Sequence, residues 1–92
     1  MKNLFDVEGI RTLAGSKINR ERAPAKQDAV LVARMRAAGA VLLGTLNMDE
    51  YAYGFTTENT HYGPTRNPHH PSRTAGGSSG GSAASVSANF ST

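Results

Sequence analysis

The chain has 92 residues, with ten Lys and Arg, seven Asp and Glu, no Cys and no Trp. That length allows at most one small domain, and the lack of Cys excludes a disulfide framework and a thiolate metal site. Only 19 residues are Ile, Leu, Val, Met or Phe, and just two of them, Val86 and Phe90, follow Phe55. The last third therefore buries little apolar surface by itself, and the chain gains stability from a partner, from further sequence, or not at all.

No apolar run reaches 18 residues, which excludes a transmembrane helix. The start, Met1-Lys2-Asn3-Leu4-Phe5-Asp6, lacks the apolar stretch of a secretory signal, so the cytoplasm is the expected location. The net charge of +3 is concentrated between Arg11 and Arg36, where seven basic residues face two acidic ones. A basic stretch raises nucleic acid as a partner. The sequence carries no paired aromatics of the RNP type, no zinc finger and no leucine zipper, so nucleic acid is disfavoured as the direct ligand.

In chain order, Met1 to Val7 reads as the end of a short strand that turns at Glu8-Gly9. Ile10 to Ala25 is irregular, polar and basic, punctuated by Gly15 and Pro24, and reads as loop. Lys26 to Ala38 favours a helix. Leu31, Met35 and Ala38 recur at i, i+4 and i+7, with Val32 three residues before Met35. Asp28 suits the first turn, Arg34 and Arg36 the last, and Gly39 the stop. Ala40 to Leu46 is short and apolar and reads as a buried strand covered on both faces. Helix, tight glycine turn and strand together make half of an α/β unit. Asn47 to Tyr53 suits one helical turn. Gly54 to Pro71, with three prolines and three histidines, reads as a polar loop. Sixteen of the twenty residues from Arg73 to Thr92 are Gly, Ala, Ser or Thr, and Ser82 to Ala88 reads as a helix of small residues.

The segment Gly76-Gly77-Ser78-Ser79-Gly80-Gly81-Ser82 admits three readings. One is a flexible linker. Another is an anion cradle at a helix start, although the Gly-Lys-Ser/Thr ending of a phosphate-binding loop is missing. The third is a catalytic turn that holds a serine hydroxyl against a base and aims backbone N–H groups at an oxyanion. A serine in proton transfer needs a base, either His or a Lys whose pKa burial has lowered. The candidates are His61, His69, His70, Lys2, Lys17 and Lys26. Lys2 stands out because it ends a strand-like segment that can hold it rigidly. An ordinary surface ammonium is the competing reading. His69 and His70 have no carboxylate at ligand spacing, which argues against a metal site.

Gly76-Gly77-Ser78-Ser79-Gly80-Gly81-Ser82-Ala83-Ala84 resembles the hallmark of the amidase signature family. Three other stretches agree with it: Lys2 to Val7 with Gly9 and Ala14-Gly15-Ser16, Asn47 to Gly54 with Thr57-Glu58-Asn59, and Gly63 to Pro68. The likeness runs from Lys2 to about Ala88. Within the family it is nearest to biuret-pathway amidases of the carboxybiuret hydrolase type, with glutamyl-tRNA amidotransferase A subunits as near relatives.

The resemblance implies an α/β fold, a mixed central sheet covered by helices, of which residues 1–92 are a partial domain running from the lysine strand through the Gly/Ser motif. It implies hydrolysis of a carbon–nitrogen amide bond by a Ser–cis-Ser–Lys triad. Lys2 is then the general base in its neutral form, Ser78 the bridging serine in a cis peptide, and Ser79 a supporting hydrogen-bonding group. The family's nucleophilic serine lies in a later Gly/Ser-rich stretch that these residues do not contain, so an internal piece, inactive alone, is expected. No metal or organic cofactor is implied. The expected partners are a small-molecule amide substrate, and a second copy or an amidotransferase-like subunit. Two alternatives are a small basic module that binds RNA or an acidic partner through Arg11 to Arg36, and a remnant without function.

Overall fold

The computed structural model describes all 92 residues, Met1–Thr92. Helix α1 spans Val30–Ala37 and helix α2 spans Gly80–Ser87. Between them lie four short strands, β1 Glu58–Asn59, β2 Gly63–Pro64, β3 Arg66–Asn67 and β4 His70–Thr74. They form two antiparallel hairpins, β1 with β2 and β3 with β4. Single 3₁₀ turns occupy Lys17–Asn19 and Glu50–Ala52. The fold is thus mixed α/β, with small sheets and short helices. No helix is long and apolar enough to cross a membrane.

Only Val7, Ala14, Val32 and Met48 form a buried apolar core, whereas Ser16, Asn19, Asp49, Thr57 and Asn59 are buried and polar. Buried polar atoms are usually hydrogen-bonded, and those of Asn19, Thr57 and Asn59 bond mostly to backbone, whereas Ser16 Oγ and Asp49 Oδ2 have no partner. The Asn59 amide donates to the carbonyls of Gly15 and Met48, both at 2.8 Å. Its carbonyl accepts from the amides of His61 and Tyr62 at 2.8 and 3.0 Å. One side chain therefore fastens three chain segments and uses its full hydrogen-bonding capacity. Gly15 permits this approach: its φ is +69°, and a Cβ there would stand 2.9 Å from the Asn59 amide nitrogen.

Several expectations change. The apolar run from Ala40 to Leu46 is not a buried strand. Its only ladder contact is a parallel bridge between Leu46 and Lys2, and Val41 and Leu43 are exposed. A strand needs partners for its backbone groups, and within these residues only the Met1–Asn3 segment supplies one. Helix α1 begins four residues later than the pattern suggests. It buries Val32, while Leu31 and Met35, on the proposed apolar stripe, remain half exposed. The stretch from Gly54 to Pro71 is not merely loop, since it contains β1 to β3 and the start of β4. These pairings are so short that Pro64 and Pro71 are tolerated at their edges, which hides the strand signal. The Glu8-Gly9 turn, the irregular Ile10–Ala25 region, the turn near Glu50 and the small-residue helix occur where expected.

Candidate active site

Lys2 is fixed by backbone pairing beside Leu46. The Asn3 amide donates to the Leu46 carbonyl at 3.2 Å, and the Leu46 amide donates to the Met1 carbonyl at 2.7 Å. The neighbouring Asn3 side chain donates to Thr45 at 2.8 Å and accepts from the Leu13 amide at 2.6 Å. The backbone on both sides of Lys2 is thus held, which fixes the point from which its side chain departs.

The Gly/Ser segment is a folded turn leading into α2, not a linker. Its Gly77–Ser78 peptide is cis. The Asp49 amide donates to the Ser78 carbonyl at 3.1 Å, and the Gly81 amide donates to the Asn47 carbonyl at 3.1 Å. The Thr57 hydroxyl donates to the Gly76 carbonyl at 2.8 Å and accepts from the Gly80 amide at 2.9 Å. The turn is packed so closely that a Cβ on Gly77 would collide with Asp49 Oδ2, and one on Gly81 would come within 2.5 Å of the Asn47 carbonyl oxygen.

These two seats bring Lys2 Nζ to 2.6 Å from Ser78 Oγ, a hydrogen bond across 76 positions of sequence. Both residues are half-buried. This spacing suits direct proton transfer between nitrogen and hydroxyl oxygen. Ser79 follows as the N-cap residue of α2. It is exposed and makes no side-chain cap bond.

The other candidate bases lie apart from the turn. Lys17 and Lys26 are exposed. His61 Nε2 is 3.1 Å from the Glu50 carboxylate, and His70 Nδ1 is 2.7 Å from Ser72 Oγ. No group of three His, Asp or Glu side chains converges as a metal site would require. Glu50 titrates below the usual carboxylate range. The nearby Ser16 hydroxyl, which completes no hydrogen bond of normal geometry, is the main cause, and His61 adds to it.

Residue-by-residue reading of the sequence missed three groups around the turn. Thr57, Asp49 and Asn47 carry no chemical signature, and only their likeness to family segments singled them out. Asp49 is unusual among them, because its Oδ2 is buried beside Gly77 without a hydrogen-bond partner.

A lysine bonded to the first serine of a glycine-flanked serine pair is the arrangement that the family resemblance implies. The whole chain, residues 1–92, matches the Amidase family model. The chain belongs to the amidase family. It is 75% identical over 88 residues to AtzE, a 1-carboxybiuret hydrolase subunit of Pseudomonas sp. (strain ADP), covering 96% of this chain and 19% of that protein. It is 53% identical over 88 residues to the glutamyl-tRNA(Gln) amidotransferase A-subunit of Koribacter versatilis (strain Ellin345), covering 96% of this chain and 18% of that protein. The crystal structure of the corresponding amidotransferase A-subunit from Thermotoga maritima superposes with a TM-score of 0.89 at 45% identity, over 97% of this chain and 20% of that one. The chain thus spans about a fifth of the length of these relatives.

Proposed function

We propose that residues 1–92 form the lysine-to-serine-turn part of a larger domain that hydrolyses carbon–nitrogen amide bonds. The observation that supports this reading is the 2.6 Å hydrogen bond between Lys2 Nζ and Ser78 Oγ. In the proposed mechanism neutral Lys2 takes the Ser78 hydroxyl proton while Ser78 Oγ takes the proton of a nucleophilic serine. That serine comes from a segment outside these residues. Its oxygen attacks the amide carbonyl, and backbone N–H groups stabilise the resulting oxyanion. The carbon–nitrogen bond then breaks, and the proton returns through Ser78 to the departing amine. Water releases the acyl group by the same relay in reverse. Ser79, adjacent and exposed, supports the hydroxyl network.

The 75% identity to the carboxybiuret hydrolase subunit supports a small amide of the carboxybiuret kind as substrate, and a partner protein in a complex. Alone, the 92 residues hold two of the three relay groups and do not turn over amides.

The test is to graft the 88 aligned residues into the Pseudomonas protein, within its assembled complex, and to follow 1-carboxybiuret hydrolysis by ammonia release. Lys2→Ala and Ser78→Ala are each expected to lower kcat by about 10²–10⁴-fold, the usual contribution of a proton-transfer group. Turnover within tenfold of the parent in both variants overturns the relay. Amide turnover by the isolated 92 residues that Lys2→Ala abolishes overturns their inactivity.

A further inference from the structure

We infer that Thr57 is the positioning residue of the serine turn: one buried hydroxyl clasps both ends of the Gly77-Ser78-Ser79 segment and holds Ser78 Oγ against Lys2. The inference rests on the Lys2–Ser78 relay proposed above.

Three observations carry it. Thr57 Oγ1 donates to the carbonyl of Gly76, immediately before the segment, and accepts from the amide of Gly80, immediately after it. The hydroxyl is thereby used in both directions, so movement at either end breaks a bond. Next, Gly80 opens α2, and its N–H is one of the donors that a helix start leaves without a partner. Ser79, the N-cap residue, makes no side-chain cap bond to the helix start. The cap comes instead from 23 positions upstream, and this couples the helix start to the β1 hairpin. Finally, the approach is built tightly. Thr57 is fully buried and β-branched, yet its φ is +52°, a left-handed backbone that such residues rarely adopt. A Cβ on Gly80 would stand 2.6 Å from the Thr57 Cβ. A residue held in a strained conformation against a glycine is one that its surroundings determine from several sides.

With Ser78 centred in a segment clasped at both ends, its hydroxyl reaches Lys2 without a search. A clasp of this kind acts on the rate of the bound substrate, since misplacing a reacting group by about 1 Å can cost on the order of 10²-fold.

The experiment uses the same grafted enzyme in its complex. Thr57→Val keeps the shape and removes the hydroxyl; Thr57→Ser keeps the hydroxyl and removes the methyl. The expected result is a fall in kcat of about 10²-fold for Thr57→Val with KM within threefold of the parent, and recovery to within about fivefold of the parent rate for Thr57→Ser. Thr57→Cys, whose thiol hydrogen-bonds weakly, falls between the two and serves if the valine variant does not fold. Equal rates for the serine variant and for the valine or cysteine variant overturn the inference, as does a loss expressed in KM alone. The relay reading is tested separately by Lys2→Ala and Ser78→Ala. If those variants are inactive while Thr57→Val turns over normally, the positioning role alone is refuted. If they remain active, both fall together.

Discussion

Asn59 offers the most direct test of how this part of the molecule is held together. Replacing it with Ala removes four hydrogen bonds at once, two donated to the Gly15 and Met48 carbonyls and two accepted from the His61 and Tyr62 amides. The two carbonyl contacts are buried, and a buried group left unpaired costs about 1–3 kcal/mol. The two amide contacts are only partly buried, so those N–H groups regain water and lose about 0.5 kcal/mol each. The expected local destabilisation is about 3–7 kcal/mol, which raises the frequency of local opening by at least about 10²-fold. Hydrogen exchange read by mass spectrometry on the grafted enzyme measures this in the peptides that contain Gly15 and Tyr62. Asn59→Asp gives a second readout. It places a carboxylate oxygen against the same two carbonyls, so burial and lone-pair repulsion push the new carboxyl's pKa up. A raised folded-state pKa means stability that is present at low pH and lost as pH rises through that value. The gap between Asn59→Asp and the parent therefore narrows between pH 7 and pH 5. Exchange in Asn59→Ala within threefold of the parent, or an Asn59→Asp variant that follows the parent at every pH, would refute the assignment of Asn59 as the junction of three segments.

Two further outcomes are expected. Gly80→Ala drives a Cβ to 2.6 Å from the Thr57 Cβ and must displace one of them by about 1 Å to regain an ordinary contact, so kcat falls on the order of 10²-fold. In a Thr57→Gly background the same change adds little, a non-additivity that a double-mutant cycle reads directly. At Glu50 the carboxyl is depressed, chiefly by Ser16 and then by His61. Its contribution is therefore complete above the ordinary carboxylate value of 4.5 and is lost as pH falls through its own lower value. Thermal melting between pH 6 and pH 3 shows a slightly steeper acid decline in the parent than in Glu50→Gln, and identical profiles would contradict this.

The sequence made the chemistry more legible than the architecture. Lys2 and Ser78 stand out through their likeness to family segments, because residue type alone leaves six candidate bases and three readings of the Gly/Ser segment. Helix α2 is visible in the Ala and Ser run, but its first residues, Gly80 and Gly81, lie before the expected start at Ser82, because glycine is a poor helix former. They are helical because Thr57 and Asn47 press so close that no side chain fits. Asn59, Thr57 and Asp49 are invisible to periodicity, since their value lies in backbone groups that are distant in sequence. Val41 and Leu43 mislead in the opposite direction. Their apolar character is real, but strand and burial both require neighbours, and these residues contact few within the chain.

The single Lys2–Leu46 bridge makes this region sensitive to length. Side chains alternate faces along extended backbone, so a slip of one residue in that pairing would turn the ammonium away from the serine turn. One amino acid inserted or deleted between Leu42 and Leu46 would thus act as a change of sidedness, even where every remaining side chain is kept. The exposed stretch around Arg20 to Pro24 has no such role and can grow or shrink, so natural variation in chain length should accumulate there.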